Sequence, residues 1–220
     1  MKINLSLILL LVTSCVLSQN QISQDTNKKT LTIKFYGGIS PLLSDEFSVS
    51  TPSQLNLISE YSYDVGYNAG ISVGYFVTDN IAVQAGFENK SNRLFVPLNF
   101  GAQSNISDRS TKLTTNTIFF NGIYYLPVES KLRPYFGIGG ALLQDITYNI
   151  FETDFTGSGE IGFRGLIGLD YTITEKLALN LEVNYNSFNE VEVQDGTNTI
   201  INLGYNPLTL NFGLIYAIKL

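Results

Sequence analysis

YDVGYNAGISVGY, residues 63–75, alternates at every position between a large or apolar side chain and a small or polar one. Since successive side chains of a β-strand point to opposite faces, one face of this segment favours a nonpolar environment and the other favours water. The polar face, with Asp64, Asn68 and Ser72, is more hydrophilic than the core of an ordinary soluble protein. The segment therefore predicts a strand that has lipid on one side and a polar interior on the other.

Similar segments recur along the chain, and together they predict the fold. They cover residues 30–40, 63–76, 81–89, 112–126, 132–144, 159–172, 177–188 and 207–219. Most are about 9 to 13 residues long, which is enough for a tilted strand to cross a bilayer. Charged residues are only 15% of the chain, against a usual share of about a quarter. The predicted fold class is all-β: a single eight-stranded antiparallel up-and-down transmembrane β-barrel with a polar interior.

The connections between the predicted strands alternate in length. The corners at residues 77–80, 127–131 and 173–176 are short, whereas residues 41–62, 90–111, 145–158 and 189–206 are long and rich in Ser, Asn, Thr and acidic residues. In outer-membrane barrels the short turns face the periplasm and the long loops face outward. We therefore expect both chain termini on the periplasmic side and four long loops at the cell surface.

Alternation alone does not say which face is inside, because a soluble barrel such as a lipocalin would bury the large residues. An eight-stranded barrel has an interior just wide enough for its own side chains. Leu179, Leu181 and Phe212 belong to large faces that would overfill it, whereas Asn180 and Asn211 belong to the opposite, smaller faces. Side-chain volume favours lipid outside.

The residues at the inward positions of this alternation predict a charged network inside the barrel. Its members are Lys34, Arg164, Asp170, Glu182 and Lys219, and folding the chain about Thr174 brings Arg164 opposite residues 182–184, so Arg164 and Glu182 are expected to pair. Because buried ions must find partners, such a network is most simply a structural plug. The alternative is a gated ion path.

Two of the predicted strands do not show a clear face. In residues 112–126, the large side chains of Phe119 and Phe120 are adjacent, so they would point to opposite faces of a strand, and the same holds for Ile123 and Tyr124. A bulge, an interior aromatic side chain or a wrong phase would each produce this pattern, and residues 132–144 are left unassigned as well.

The N-terminus predicts export. Residues 1–18 have the layout of a signal peptide, with an apolar stretch from Leu5 to Val12 that is too short to span a bilayer. The alternative is a lipoprotein signal that ends before Cys15, because Val12-Thr13-Ser14-Cys15 resembles a bacterial lipobox. Residues 19–29 would then form a short periplasmic segment, and residues 30–220 the barrel domain.

The residue types exclude several chemistries. The chain has no histidine and one cysteine, so a His-dependent catalytic base, a His or Cys metal site and an intramolecular disulfide are all excluded. Residues 157–162, GSGEIG, match the letters of a dinucleotide fingerprint, but they lead from a loop into a strand. No run of Lys or Arg is present, so nucleic acid is not an expected partner. We predict no catalytic, cofactor-binding or metal site, and expect a protein that is not an enzyme.

Several segments carry a family resemblance. They are Gly74-Tyr75-Phe76-Val77-Thr78-Asp79-Asn80, residues 132–140 (LRPYFGIGG), Gly168-Leu169-Asp170-Tyr171 and the last strand, whose Asn211, Gly213, Tyr216 and Ile218 resemble a C-terminal barrel-assembly signal. The chain ends in Leu220, not in the usual aromatic residue. In these features it resembles the small eight-stranded outer-membrane barrels of Gram-negative bacteria, the porin-family or OmpA- and OmpX-like transmembrane domains.

The resemblance implies a function class and a set of partners. It implies a monomeric, multi-pass outer-membrane protein whose partners are membrane lipid, the barrel-assembly machinery and a possible extracellular ligand of the long loops. A structural or surface-interaction role is the leading hypothesis. The alternatives are a narrow porin-like channel or conduit for small or hydrophobic solutes, a histidine-independent enzyme and a secreted lipid carrier.

Overall fold

The computed structural model describes residues 29–40, 45–50, 56–63, 65–95, 111–128, 130–150, 153–188, 190–194 and 200–220. The predicted signal peptide, residues 1–18 or ending before Cys15, lies outside them, as does all but the last residue of the segment 19–29. None of the described residues forms a helix that is long and apolar enough to cross a membrane.

Most of the described residues lie in strands. These are β1 (Thr30–Ser40), β2 (Asp45–Ser50), β3 (Asn56–Tyr63), β4 (Gly66–Phe76), β5 (Ile81–Phe95), β6 (Thr111–Tyr125), β7 (Leu132–Ile150), β8 (Thr153–Gly157), β9 (Glu160–Thr174), β10 (Leu177–Phe188), β11 (Glu190–Gln194), β12 (Ile200–Gly204) and β13 (Leu208–Lys219).

Eight of these strands close into an antiparallel barrel. The order around the barrel is β1-β4-β5-β6-β7-β9-β10-β13, and β13 pairs again with β1. The eight predicted strands and the predicted fold class are confirmed. Strands adjacent in this order are joined by short turns at one end, which we call the short-turn end, and by long connections at the other.

The long connections differ from the prediction of polar loops. Strands β2, β3, β8, β11 and β12 lie within them, and β5 and β7 extend beyond their predicted ends to Phe95 and Ile150. Together, β2, β3, β5, β6, β7, β8, β11 and β12 form a second ring of paired strands above the first, which we call the collar. Unpaired backbone groups at a strand end favour continuation of the ladder even where side-chain alternation is weak.

The two faces of the wall have the predicted polarity. The outward side chains of Ile167, Phe212 and Leu179 are exposed over 62%, 61% and 48% of their surface, whereas Arg164 and Glu182 are buried. A soluble carrier would show the opposite arrangement. The exposed apolar belt is therefore the surface that contacts acyl chains.

The structure assigns the faces of β6 and β7, which the sequence left open. Phe119 and Ile123 point inward and are buried, while Phe120 and Tyr124 point outward. The register between the strands shifts at Asn116 and Thr117, which is a bulge. The inward positions of β6 keep one parity from Leu113 to Tyr125, so the crowding reflects large side chains on both faces of the strand. The bulge lies in β7, where it changes the phase: the buried residues pass from Ala141 and Leu143 to Ile146 and Tyr148.

Candidate functional site: the interior of the barrel

Five charged side chains form a chain of ion pairs inside the barrel, which we call the ion cluster. Lys90 Nζ lies 2.7 Å from Glu88 Oε1, and Arg164 Nη1 lies 3.6 Å from the same oxygen. Arg164 Nη2 is 3.8 Å from Glu182 Oε1, whose other oxygen accepts a 2.7 Å hydrogen bond from Lys34 Nζ. All five residues are buried. Charges of alternating sign therefore run across the interior from β5 through β9 and β10 to β1.

A sixth buried charge balances the cluster. Asp170 on β9 accepts hydrogen bonds from Asn180 Nδ2 at 2.6 Å and from the Tyr125 hydroxyl at 3.0 Å. With Asp170, three carboxylates oppose the three cations of the cluster. Burial of an unpaired ion costs several kcal/mol, so equal numbers of buried cations and carboxylates favour the stability of the barrel.

Neutral side chains hold the ions in place. Arg164 donates to Asn186 Oδ1 at 3.1 Å and lies over the ring of Phe119, 4.2 Å from its centroid. The Tyr135 hydroxyl donates to Glu182 Oε2 at 2.8 Å and accepts from Asn180 Nδ2 at 2.8 Å. The charged groups of Arg164 and Glu182 thus have polar or aromatic neighbours besides their ionic partners, and these neighbours orient them within the bore.

The structure brings four of the five predicted interior residues together. Lys34, Arg164, Asp170 and Glu182 are buried in the bore, and Lys34 is paired with Glu182. The prediction for Lys219 needs correction: it has inward parity but is exposed, because β13 ends there at the rim of the barrel.

The expected position of Arg164 opposite residues 182–184 is wrong by a few residues. Arg164 pairs in register with Asn186. The turn is centred on Glu175 and Lys176, not on Thr174, and an irregularity follows it at Leu177. Arg164 still reaches Glu182, but diagonally along the interior face.

Sequence reasoning missed Glu88 and Lys90. Both lie on the inward parity of β5, after Gln84 and Gly86, so a continued count would have placed them in the bore. Lys90 was instead predicted to begin a loop, because the polar residues that follow it do not look like a strand. The structure shows that β5 continues to Phe95.

Aromatic rings fill the interior near the short-turn end. The Tyr125 ring lies 5.1 Å from the Phe76 ring and 5.0 Å from the Tyr135 ring, measured between centroids. The Arg133 guanidinium lies over Tyr125 at 4.5 Å and over Phe76 at 5.3 Å. A cavity of about 20 Å³ lies between these rings and Lys34, which is room for about one water molecule.

The collar end of the interior is apolar. One buried cluster contains Leu113, Phe119, Leu143, Ile146, Tyr148, Phe155, Phe188, Val191, Val193 and Tyr205, with Tyr36 and Ala141. Phe188 and Tyr205 stack at 5.8 Å between ring centroids, and the Tyr205 hydroxyl lies 2.9 Å from Thr115 Oγ1. Along its axis the bore therefore contains an aromatic stack, the ion cluster and an apolar core.

Two further sequence features are accounted for by the fold. Residues 157–162 join β8 to β9, and Gly159 there has a φ of 88°, a left-handed conformation that favours glycine. No helix follows, so the geometry of a dinucleotide fingerprint is not formed. Among the described residues, no group of three or more His, Cys, Asp or Glu side chains is arranged to hold a metal ion.

A closed eight-stranded barrel with an apolar outer belt and a charged interior defines a class, the small transmembrane β-barrels. Comparison with protein families identifies the group within it. The family model described as outer membrane protein beta-barrel domain matches residues 7–216, and the chain belongs to this family. The protein is therefore an outer-membrane barrel protein. A comparison with curated protein sequences finds no match.

Solved structures of outer-membrane proteins have a similar fold. OprG of Pseudomonas aeruginosa matches with a TM-score of 0.69 and 14% identity, over 88% of this chain and 98% of that one. AlkL, solved in DMPC bilayers, matches with a TM-score of 0.61 and 18% identity, over 92% and 96%. A major outer membrane protein of Thermus thermophilus matches with a TM-score of 0.54 and 12% identity, over 86% and 99%. At these identities the likeness concerns the fold.

Proposed function

We propose that the protein is a non-conducting outer-membrane barrel whose function lies in the collar that it displays at the cell surface. Its role is structural or one of surface interaction, and it is not an enzyme. The protein is exported by its N-terminal signal, inserted as a monomer by the barrel-assembly machinery, and surrounded by membrane lipid. The long connections are the part available to an extracellular ligand.

The filled interior is the observation that carries this proposal. Arg164, Glu88, Glu182 and Lys90 have almost no exposed surface, although each carries a charge. An ion or a polar solute passing through would have to separate the pairs that neutralise them. Since breaking a buried pair costs about 3–5 kcal/mol, the closed arrangement dominates at equilibrium.

The structure of the collar supports the proposed role at the cell surface. The collar extends the wall beyond the membrane strands and has its own buried apolar core, including Leu143, Val191 and Val193. A core of this kind gives the projecting hairpins a defined shape. Thr156, Glu192 and Gln194 of the collar are exposed, so its outer surface is polar and in contact with water.

Conductance in planar bilayers tests whether the bore is closed. We expect purified protein to give no conductance steps, whereas the double variant Glu88→Ala/Lys90→Ala, which removes a whole ion pair and leaves Arg164 paired with Glu182, should give small steps. The variant also shows that the assay detects an opened barrel. Steady conductance from the unaltered protein would contradict the proposal and favour the alternative, a narrow channel. Uptake of hydrophobic solutes into vesicles that contain the unaltered protein would favour the conduit.

Labelling of intact cells tests the orientation of the collar. Glu192 in the collar and Glu175 at the short-turn end are both exposed carboxylates, so Glu192→Cys and Glu175→Cys are matched variants. A membrane-impermeant maleimide should label Glu192→Cys on intact cells and Glu175→Cys only after lysis. The unaltered chain is the control for labelling at Cys15. The reverse pattern would place the collar in the periplasm and remove the surface role.

A further inference from the structure

A groove lies at the rim of the barrel wall at the short-turn end. Its volume is about 260 Å³, and it is lined by Glu175, Lys176, Tyr216, Ala217, Ile218 and Lys219. One side is the turn between β9 and β10, and the other is the end of β13. The Ala217 amide donates a 2.8 Å hydrogen bond to the Lys176 carbonyl, and the Lys176 amide donates to Thr174 Oγ1 at 3.3 Å. Backbone contacts therefore define the shape of the groove.

The groove has an apolar side and a cationic side. Tyr216 and Ile218 belong to the outward belt and are exposed over 44% and 36% of their surface. Lys176 and Lys219 are exposed at the rim, and Glu175 supplies a carboxylate among the described residues that line the groove. An aromatic ring beside cationic side chains is typical of the level where a barrel meets lipid headgroups. A ligand with an anionic head and an apolar body matches both sides.

The wider charge distribution favours an anion here and not at the collar. Among the residues that the structure describes at the short-turn end, the exposed cations are Lys29, Lys131, Lys176 and Lys219, and the exposed carboxylate side chains are Asp79 and Glu175. In the collar and at its base, the exposed cations among the side chains that the structure describes are Arg93 and Lys112, and the exposed carboxylates are Asp145, Asp154 and Glu192. The Leu220 amide donates to the Lys29 carbonyl at 3.1 Å, so the backbone of Lys29 lies beside the end of β13.

We propose that this groove binds the phosphate headgroup of an anionic phospholipid in the leaflet that adjoins the short turns. The ammonium groups of Lys176 and Lys219 donate to the phosphate oxygens, and Tyr216 and Ile218 contact the glycerol and the upper acyl chain. The site is independent of whether the bore conducts, so failure of either proposal leaves the other unaffected.

Lipid retention tests the proposal. Protein is reconstituted in phosphatidylcholine mixed with phosphatidylglycerol, extracted in mild detergent, and examined for bound lipid by native mass spectrometry. We expect preferential retention of phosphatidylglycerol, and a fall of about fivefold in its relative retention for each lysine removed. The variant Lys176→Gln/Lys219→Gln should lose the preference, and Lys176→Arg/Lys219→Arg should keep it.

Control variants establish whether lipid retention depends on this groove. Arg93→Gln/Lys112→Gln removes the same charge at the opposite end and should leave retention unchanged, and heat-modifiable gel migration verifies that each variant is folded. Equal retention of both lipids, or equal losses in the two Gln variants, would overturn the proposal. Complete displacement of the lipid by added inorganic phosphate would show a free-anion site and would also overturn it.

Discussion

Lys34 Nζ lies 2.7 Å from Glu182 Oε2, and this pair joins the first strand of the barrel to β10, with β13 between them in the wall. The two residues are far apart in the chain, and both side chains are buried. The contact therefore forms only when the first and last strands of the barrel have met, so it couples the ion cluster to barrel closure.

A double-mutant cycle measures this coupling. Lys34→Met leaves Glu182 with Arg164 as its remaining cation, at 3.8 Å, and should lower the free energy of unfolding by about 3–5 kcal/mol. The double variant Lys34→Met/Glu182→Leu should lose less free energy of unfolding than the sum of the losses of the two single variants. The difference, which is the coupling energy, should be about 0.5–3 kcal/mol. Urea unfolding in lipid vesicles, followed by gel migration, gives these values. Strict additivity would mean that the pair does not interact energetically, and Lys112→Met is the exposed control.

Replacement of Arg164 should be at least as costly as any other change in the cluster. Arg164→Met removes the cation shared by Glu88 and Glu182 and should destabilise the barrel by about 3–5 kcal/mol or prevent its insertion. Arg164→Lys should recover only part of the loss, because a single ammonium cannot reach both carboxylates and Asn186 as a planar guanidinium does. Arg93→Met, at an exposed arginine, is the matched control. Equal stability of the two Met variants would contradict the structural role of the cluster.

Gly168 tests the packing of the aromatic stack. A Cβ atom at this position would overlap the ring of Tyr135, whose hydroxyl donates to Glu182. Gly168→Ala should therefore displace the ring and cost about 1–3 kcal/mol in unfolding free energy. At Gly140, on the outer face, a Cβ would meet its nearest neighbour at 3.8 Å. Gly140→Ala should be nearly neutral, and similar losses from both changes would argue against the inward placement of Gly168.

A charge on the outer face tests the membrane-facing belt. Ile167 is exposed over 62% of its surface on β9. Ile167→Arg should destabilise the barrel by about 2–4 kcal/mol if this position lies near the bilayer midplane. Thr156→Arg, in the exposed outer surface of the collar, should have little effect. Unfolding in vesicles compares the two, and an unchanged stability of Ile167→Arg would show that this face does not contact the hydrocarbon.

The fold was predictable because barrel strands carry a local signal. Inward Asn68 and Ser72 alternate with outward Tyr67 and Ile71, and this alternation requires no knowledge of the partner strand. The collar gave a weaker signal: Val191 and Val193 of β11 alternate with Glu192 and Gln194, but the strand has only five residues and lies in a segment that was predicted to be a loop. Its pairing depends on neighbouring strands that supply hydrogen bonds, which is not a property of the segment alone.

For the ion cluster, too, the sequence predicted one part and only the structure showed the other. Strand parity in the amino-acid sequence was enough to put Lys34, Arg164, Asp170 and Glu182 inside a lipid-facing barrel, because a charge on the outer face would contact acyl chains. The partners, however, depend on the stagger of eight strands around a closed wall and on where each turn is centred. For that reason the contact of Arg164 with Glu88, its register with Asn186 and the exposure of Lys219 at the rim emerged only from the assembled barrel.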